Sequence, residues 1–180
     1  MAVPVLVRYA EVPAMPWANG RGVTTELVSF ARSRALSALS LPAWRLSIAG
    51  LDGPAGFSPL PGTRRVFLPV GTDVTLVVNG IERQVPDRMA TSFDGDDIVE
   101  LVGMHRRPAH AVNLMYRTGT HRTVPGLAVG RSDEAAAQTC LVAVALESCS
   151  STAMFDAFTM DDGGPPEAGI QMAMVTIAGS

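Results

Sequence analysis

The sequence predicts an all-β fold, an antiparallel sandwich or barrel built from many short strands. Short β-prone segments recur along the 180 residues, and glycines and prolines separate them. Asn79-Gly80 joins two of these segments, and an Asn-Gly pair in this position is the strongest local signal for a tight hairpin. The chain shows no regular alternation of strands with crossover helices, which disfavours an α/β fold.

The apolar pattern places the elements in order. Trp44, Leu46 and Ile48 alternate with Arg45 and Ser47, as expected for a strand with two different faces. Short helices are predicted at 31–41, where serines make a loop an equal alternative, and at 131–138. A soft domain boundary is expected near 119–130, where the arginine-rich part ends. The predicted strands cover 3–7, 23–30, 44–49, 64–70, 74–78, 81–85, 89–93, 98–102, 111–116, 141–146, 154–159 and 170–177.

Composition limits the class of protein. A hydrophobic content of 47% and a mean hydropathy of +0.23 argue against disorder, and the length fits one domain or two small fused ones. A formal charge of −3 argues against a nucleic-acid partner. Lysine is absent, so all 14 Lys-plus-Arg residues are arginines, whose planar guanidinium groups suit carboxylates.

Location follows from what the sequence lacks. No apolar run approaches the roughly 20 residues of a membrane span, and the first residues do not resemble a signal peptide. The two cysteines, Cys140 and Cys149, fit free thiols in a reducing compartment. We therefore expect a cytoplasmic protein without a membrane partner.

The densest group of distinctive residues lies in 16–26. Asn19-Gly20 and Gly22 allow a kinked turn, and Trp17 offers an apolar face with one N–H donor. In the strand that follows, Thr24, Glu26 and Val28 are predicted to share one face, opposite Val23, Thr25 and Leu27. A solvated edge strand behind an ordinary turn is the alternative.

The sequence gives only weak signals for a metal site or for nucleophilic catalysis. His105, His110 and His121 form no pair at the spacing of a strand-borne metal site. The sequence has no Gly-x-Ser-x-Gly elbow, and Cys140 lies in an apolar run as a small hydrophobic residue would. We therefore expect neither a metal nor another cofactor.

The remaining polar residues begin strands or lie in stiff loops. On the inner face of a barrel such residues need a partner or a ligand, and arginines with hydroxyl and amide groups suit a small carboxylate. The alternative places each on an outer face, and the pattern does not decide for Arg45. The residues in question are Arg45, Ser47, Ser58, Arg65, Asp94 and Asn113.

As a set, these residues resemble the HutD/Ves family. Five motifs occur in the family's order over residues 16–116. They are Trp17 to Glu26 for W-x-N-G-x-G-x-T-x-E, Trp44 to Ala49 for W-R-x-S-x-A, Phe57 to Arg65 for F-S-x-x-x-G-x-x-R, Phe93 to Asp96 for F-x-G-D, and Asn113 to Met115 for the end of D-x-N-x-M. The family's aspartate is replaced here by Ala111.

The resemblance implies an RmlC-like bicupin with two antiparallel, jelly-roll barrels. Residues 1–120 would form the barrel with the pocket, and 121–180 a smaller cupin-like barrel, with an N-terminal strand that either could share. It also implies a metal-independent protein that binds a small acidic metabolite of histidine catabolism, of the formylglutamate or urocanate class, with a regulatory role.

Roles follow for the candidate residues. Arg45 and Arg65 would hold the anion, and Trp17 and Phe57 would form an apolar wall beside Ser58. Glu26 and Asp94 would orient the arginines or shape turns instead of touching the ligand. Neutral hydrogen bonds would come from Asn19, Thr24, Ser47 and Asn113.

Two other classes compete with this binding role. One is a cupin isomerase or hydrolase that uses Glu26 as general base, which would need a pKa raised by burial. The other is a structural or dimerising protein, since edge strands of cupins permit a homodimer.

Overall fold

The computed structural model describes residues 5–37, 41–135, 139–160 and 168–179, and it is built mainly from strands. Two short helices, α1 (Phe30–Leu36) and α2 (Ser132–Ala135), accompany the strands. No helix in these residues has the length and apolar character needed to cross a lipid bilayer. The strands are β1 (Val5–Val7), β2 (Ala14–Pro16), β3 (Gly22–Val28), β4 (Trp44–Leu51), β5 (Ala55–Gly56), β6 (Thr63–Val70), β7 (Val74–Val78), β8 (Ile81–Val85), β9 (Thr91–Asp94), β10 (Val99–Met104), β11 (Ala109–Arg117), β12 (Thr123–Arg131), β13 (Cys140–Ala145), β14 (Ala157–Thr159) and β15 (Gln171–Gly179).

The strands form three antiparallel sheets, which confirms the predicted fold class. A six-stranded sheet has the order β2-β3-β4-β11-β6-β9, and we call it the central sheet. A four-stranded sheet has the order β5-β10-β7-β8. A five-stranded sheet has the order β1-β14-β13-β15-β12, so the N-terminal strand lies in the same sheet as the last third of the chain.

The central sheet is buried on both faces. Trp44 and Ile48 of β4 belong to a core cluster shared with Val144 of the five-stranded sheet. Leu51 belongs to a second core cluster shared with Leu76 of the four-stranded sheet. Because side chains alternate along a strand, the residues of β4 enter the two cores in turn, and neither face of β4 is the outside of the protein.

The hairpin predicted at Asn79-Gly80 is confirmed. Asn79 has a φ of 50° and Gly80 a φ of 80°, the positive values that a type I′ turn requires. The Asn79 amide also donates to Asp97 at 2.7 Å and accepts from the backbone N–H of Ile98 at 2.9 Å. Asn79 therefore serves both as a turn residue and as a link to the start of β10.

The predicted assignment of the β3 side chains to two faces was wrong at Val28. The register between β3 and β4 shifts between Glu26 and Val28, and Leu27 and Val28 both lie in the core shared with the five-stranded sheet. Such a bulge places two residues of one strand opposite one of the other. Val28 therefore does not share a face with Thr24, because burying both apolar side chains interrupts the alternation.

The stretch near 119–130, where we expect a soft boundary, contains a strand that was not predicted. Residues 123–131 form β12, which pairs with β15 along its whole length. Pro125 is tolerated because β12 is an edge strand of its sheet. The predicted strand at 154–159 is shorter than expected, since Phe155 has a φ of 72° and the strand begins at Ala157.

A buried carboxylate fixes the N-terminal strand in the five-stranded sheet. Asp156 is only 1% exposed, and its side chain accepts from Arg8 Nη1 at 3.0 Å and from the Tyr9 backbone N–H at 3.0 Å. It also accepts from the backbone N–H of Ala153 at 3.3 Å. Two of these donors follow β1 and the third precedes β14, so Asp156 links the segments that flank the β1–β14 pair.

We predict that Asp156→Ala lowers the free energy of unfolding by about 1–3 kcal/mol, because it leaves buried donors without an acceptor. Chemical denaturation measures this change. Asp52→Ala is the control, since Asp52 is exposed and should change stability by no more than about 0.5 kcal/mol. Equal effects of the two substitutions would show that Asp156 does not anchor the N-terminal strand.

Candidate functional site

The predicted polar residues of three strands lie side by side on the central sheet. In the register of the sheet, Met115 of β11 is opposite both Arg45 of β4 and Arg65 of β6. One pleat further along, Asn113 is opposite Ser47 and Phe67. Residues two apart share a face, so these two rows point together toward the four-stranded sheet.

A cavity of about 290 Å³ lies beside these rows. All of the predicted site residues except Glu26 and Asp94 line it. Those that do are Trp17, Asn19, Thr24, Arg45, Ser47, Phe57, Ser58, Arg65 and Asn113. The lining also includes Ala18, Ala49, Leu51, Gly56, Phe67 and Met115.

Arg65 is the most unusual group in the cavity. Its residue is only 8% exposed, its Nη2 donates to the Ser58 carbonyl, and its Nε has no hydrogen-bond partner. Within the described parts of the chain no carboxylate forms an ion pair with it. Burial, and secondly the positive charge of Arg45, lower the pKa of Arg65. Both effects oppose a bare cation and would be relieved by an anion beside it.

Arg45 differs from Arg65 because it has an acid partner. Its Nε donates to Glu26 Oε2 at 2.5 Å. Glu26 lies opposite Ser47 in the β3–β4 register, so it is a diagonal neighbour of Arg45. Glu26 itself is absent from the cavity lining, and its position is that of a support for Arg45.

The loop before β3 forms one wall of the cavity. Trp17 Nε1 donates to Thr24 Oγ1 at 2.8 Å, and the Trp17 backbone N–H donates to the Gly22 carbonyl at 2.9 Å. Asn19 accepts from the Arg21 backbone N–H at 3.0 Å. These bonds hold the indole against the start of the strand, so the wall is fixed within the protein itself.

Gly22 is required by close packing in this loop. A Cβ at this position would lie 2.5 Å from the Gly50 carbonyl oxygen and 3.0 Å from the Trp17 ring. Gly50 lies on the neighbouring strand β4, so a backbone atom would have to move. The glycine of the sequence motif therefore lets the Trp17 wall approach the sheet.

A second loop carries Phe57 and Ser58. The Phe57 backbone N–H donates to the Val99 carbonyl at 2.8 Å, and its ring lies 5.6 Å from that of Phe67. The loop is also held at Gly95, whose N–H donates to Thr63 and whose carbonyl accepts from Leu60, both at 2.8 Å. This fixed loop presents the carbonyl that accepts from Arg65.

Asp94 lies outside the cavity. Its carboxylate accepts from Arg64 Nη1 at 2.8 Å, and its backbone N–H donates to Asp97 at 2.8 Å. Arg64 precedes Arg65 in β6 and so points to the opposite face. Asp94 therefore belongs to the turn that supports the Ser58 loop.

Several lining residues were not predicted, although the two-residue period could have identified some of them. Phe67 follows Arg65 by two positions, Met115 follows Asn113, and Ala49 follows Ser47. Leu51 continues the same face of β4 two positions after Ala49, whereas Ala18 and Gly56 carry no such signal. Ala111, which replaces the aspartate of the motif, lies in the apolar cluster and not in the lining.

The histidines and cysteines lie apart from this cavity. In the part of the chain that the structure describes, no group of three or more His, Cys, Asp or Glu residues could hold a metal ion. Burial lowers the pKa of His110, whose ring lies 5.0 Å from that of Phe155. Burial raises the pKa of Cys140 to about 12, so its thiol is neutral at pH 7.

Comparisons with known proteins identify the family and the fold. The HutD family model matches residues 9–161. An uncharacterised 21.2 kDa protein in the hutC 3′ region of Pseudomonas putida is 34% identical over 90 residues, which are 49% of this chain and 43% of that protein. The matched region thus spans less than half of that relative's length.

Two solved structures share the fold over most of their length. HutD from Pseudomonas fluorescens SBW25 is 24% identical, with a TM-score of 0.65, covering 99% of this chain and all of that chain (100%). A conserved protein of unknown function from Pseudomonas aeruginosa PAO1 is also 24% identical, with a TM-score of 0.62, covering 94% of this chain and 89% of that chain.

We predict that Gly22→Ala lowers the free energy of unfolding by about 1–3 kcal/mol, because the added methyl group displaces the Gly50 backbone or the Trp17 ring. Urea denaturation followed by far-UV circular dichroism measures the change. Gly56→Ala serves as the control, since no atom lies within 4 Å of its added Cβ. A Gly22→Ala protein as stable as the control would contradict the close-packing role of Gly22.

Proposed function

The chain belongs to the HutD family, and on this basis we propose that it is a cytoplasmic protein that binds a small carboxylated metabolite. The binding site is the cavity between the central sheet and the loops that carry Trp17 and Phe57. Arg65 carries the proposal, because it is a buried cation whose acid partner is not found among the described residues. Binding regulates histidine utilisation and catalyses no reaction.

The electrostatics of the cavity support an anionic ligand. Burying a guanidinium costs free energy unless hydrogen bonds and an opposite charge compensate for it. Arg65 has the Ser58 carbonyl, but its Nε has no partner. A carboxylate that bound Arg65 would supply both a charge and hydrogen-bond acceptors, and a planar guanidinium holds a carboxylate through two parallel bonds.

The rest of the lining supports an organic acid of metabolite size. Ser47, Thr24 and Asn113 offer neutral hydrogen-bonding groups, while Trp17 and Phe57 offer flat apolar surfaces. The volume of about 290 Å³ is at the lower end of the range for small-molecule sites. The formylglutamate and urocanate classes fit this chemistry, and the relative in the hutC 3′ region supports a connection with histidine utilisation.

The position of Glu26 favours the binding role over catalysis. A general base must reach the proton that it removes from the substrate. The Glu26 carboxylate instead accepts from Arg45 and is absent from the cavity lining. We therefore assign Glu26 to the support of Arg45.

We predict that N-formylglutamate or urocanate raises the melting temperature of the wild-type protein and that Arg65→Met abolishes this increase. Ligand at 100 times its Kd should stabilise the protein by about 2.7 kcal/mol. For a chain of this size that corresponds to an increase of roughly 5–10 °C. Differential scanning fluorimetry over a concentration series measures the effect.

Arg64→Met is the matched control. It removes an arginine from the neighbouring position of β6, whose side chain pairs with Asp94 outside the cavity. The control should keep the full ligand-dependent increase. In the absence of ligand, Arg65→Met should not lower the melting temperature, since replacing a poorly compensated buried charge by an apolar side chain is often neutral or stabilising. A full ligand response in Arg65→Met would disprove the proposed site.

A further inference from the structure

We infer that Glu26 makes the cavity selective for ligands with a single negative charge, because its carboxylate disfavours a second negative group in the cavity. This inference rests on the proposed binding function and names a selectivity that the binding function does not require. Glu26 is a positioning and specificity-determining residue here, since it acts through Arg45 and does not line the cavity.

The charges around the cavity favour a ligand with one negative charge. The lining contains two charged side chains, Arg45 and Arg65, and the rest of its residues are neutral. Glu26 Oε2 lies 2.5 Å from Arg45 Nε, so the negative charge of Glu26 balances the positive charge of Arg45. Arg65 is then the one cation in this cavity without a counter-charge among the described residues, so a single carboxylate balances the site.

The three charged side chains differ in how deeply they are buried. Arg65 is only 8% exposed, whereas the side chains of Arg45 and Glu26 are 26% and 43% exposed. Arg65 therefore lies deepest, and the Arg45–Glu26 pair lies nearer the solvent. A ligand that contacts Arg65 with one carboxylate and extends toward solvent places a second carboxylate near Arg45, whose charge Glu26 already balances.

Arg45 therefore attracts a second carboxylate less strongly than an unpaired arginine would, whether or not Glu26 stays bound to it. If Glu26 keeps its bond to Arg45, the second carboxylate lies close to a like charge in a partly buried site, where repulsion is stronger than in water. If the ligand displaces Glu26, the short Arg45–Glu26 hydrogen bond is lost. A neutral polar group at the same place of the ligand suffers neither penalty.

The alternation of side chains along β3 places Glu26 beside Arg45. It follows Thr24, which lines the cavity, by two residues of β3 and so points to the same face. The bulge begins after Glu26, so the face changes only beyond it. Glu26 accepts at Arg45 Nε, and no other hydrogen bond of the Arg45 guanidinium to a described residue is found.

The test compares two probes that differ by one charge on the same skeleton. N-formylglutamate carries two carboxylates, and its side-chain amide, N-formylglutamine, carries one. Isothermal titration calorimetry gives the Kd of each probe for the wild-type protein and for Glu26→Gln. Glutamine retains an oxygen that can accept from Arg45 Nε, so the substitution removes the charge and keeps the hydrogen bond.

We expect Glu26→Gln to improve the affinity for the dianion relative to the monoanion by about tenfold, which corresponds to about 1.4 kcal/mol. Glu82→Gln is the control, because it removes one carboxylate from the exposed strand β8, outside the cavity lining. The control should keep the wild-type ratio of the two Kd values. The increased dianion preference should also weaken as salt is added, since it is electrostatic.

An unchanged ratio in Glu26→Gln would overturn the inference, and so would an equal change in Glu82→Gln. Arg65→Met separates this failure from failure of the proposed function. If Arg65→Met abolishes binding of the monoanion while Glu26→Gln leaves the ratio unchanged, the function stands and the selectivity role of Glu26 is wrong. If neither these two probes nor urocanate bind the wild-type protein, or if Arg65→Met binds both probes as the wild-type protein does, the proposed function is wrong and the inference with it.

Discussion

The central sheet must satisfy two cores at once, and the position of the site depends on that constraint. Its strands β4, β6 and β11 are covered on one face by the five-stranded sheet and on the other by the four-stranded sheet. The polar side chains that point from these strands toward the four-stranded sheet therefore lie inside the protein. Arg65, Ser47 and Asn113 are buried for this reason, so their polar atoms need partners other than bulk water.

The walls of the cavity are held in place by contacts within the protein itself. The Trp17 loop is fixed by Thr24 and by the close approach at Gly22, and the Ser58 loop is fixed by Gly95 and Val99. These contacts involve backbone atoms and short side chains, which leave little freedom to the loops. A site built in this way keeps its shape before a ligand arrives, which reduces the entropic cost of binding.

The two arginines illustrate how neighbouring groups acquire different roles. They lie in one row of the sheet, on either side of Met115, yet among the described residues an acid partner is found only for Arg45. Burial and the charge of Arg45 both disfavour the cation on Arg65. Conformational stability alone does not favour such an arrangement, and under the proposed function a bound anion would compensate for it.

The sequence by itself determined the fold class, the hairpin at Asn79-Gly80 and most of the cavity lining, because these depend on local signals and on residues two apart along a strand. Only the tertiary structure decided that the face of β4 with Arg45 is buried, since both alternating faces of this strand are covered. It likewise revealed β12, in a stretch for which the sequence pattern predicted no strand. Which arginine pairs with Glu26 depends on the register of β3 against β4. That register includes a bulge that the local sequence pattern does not predict.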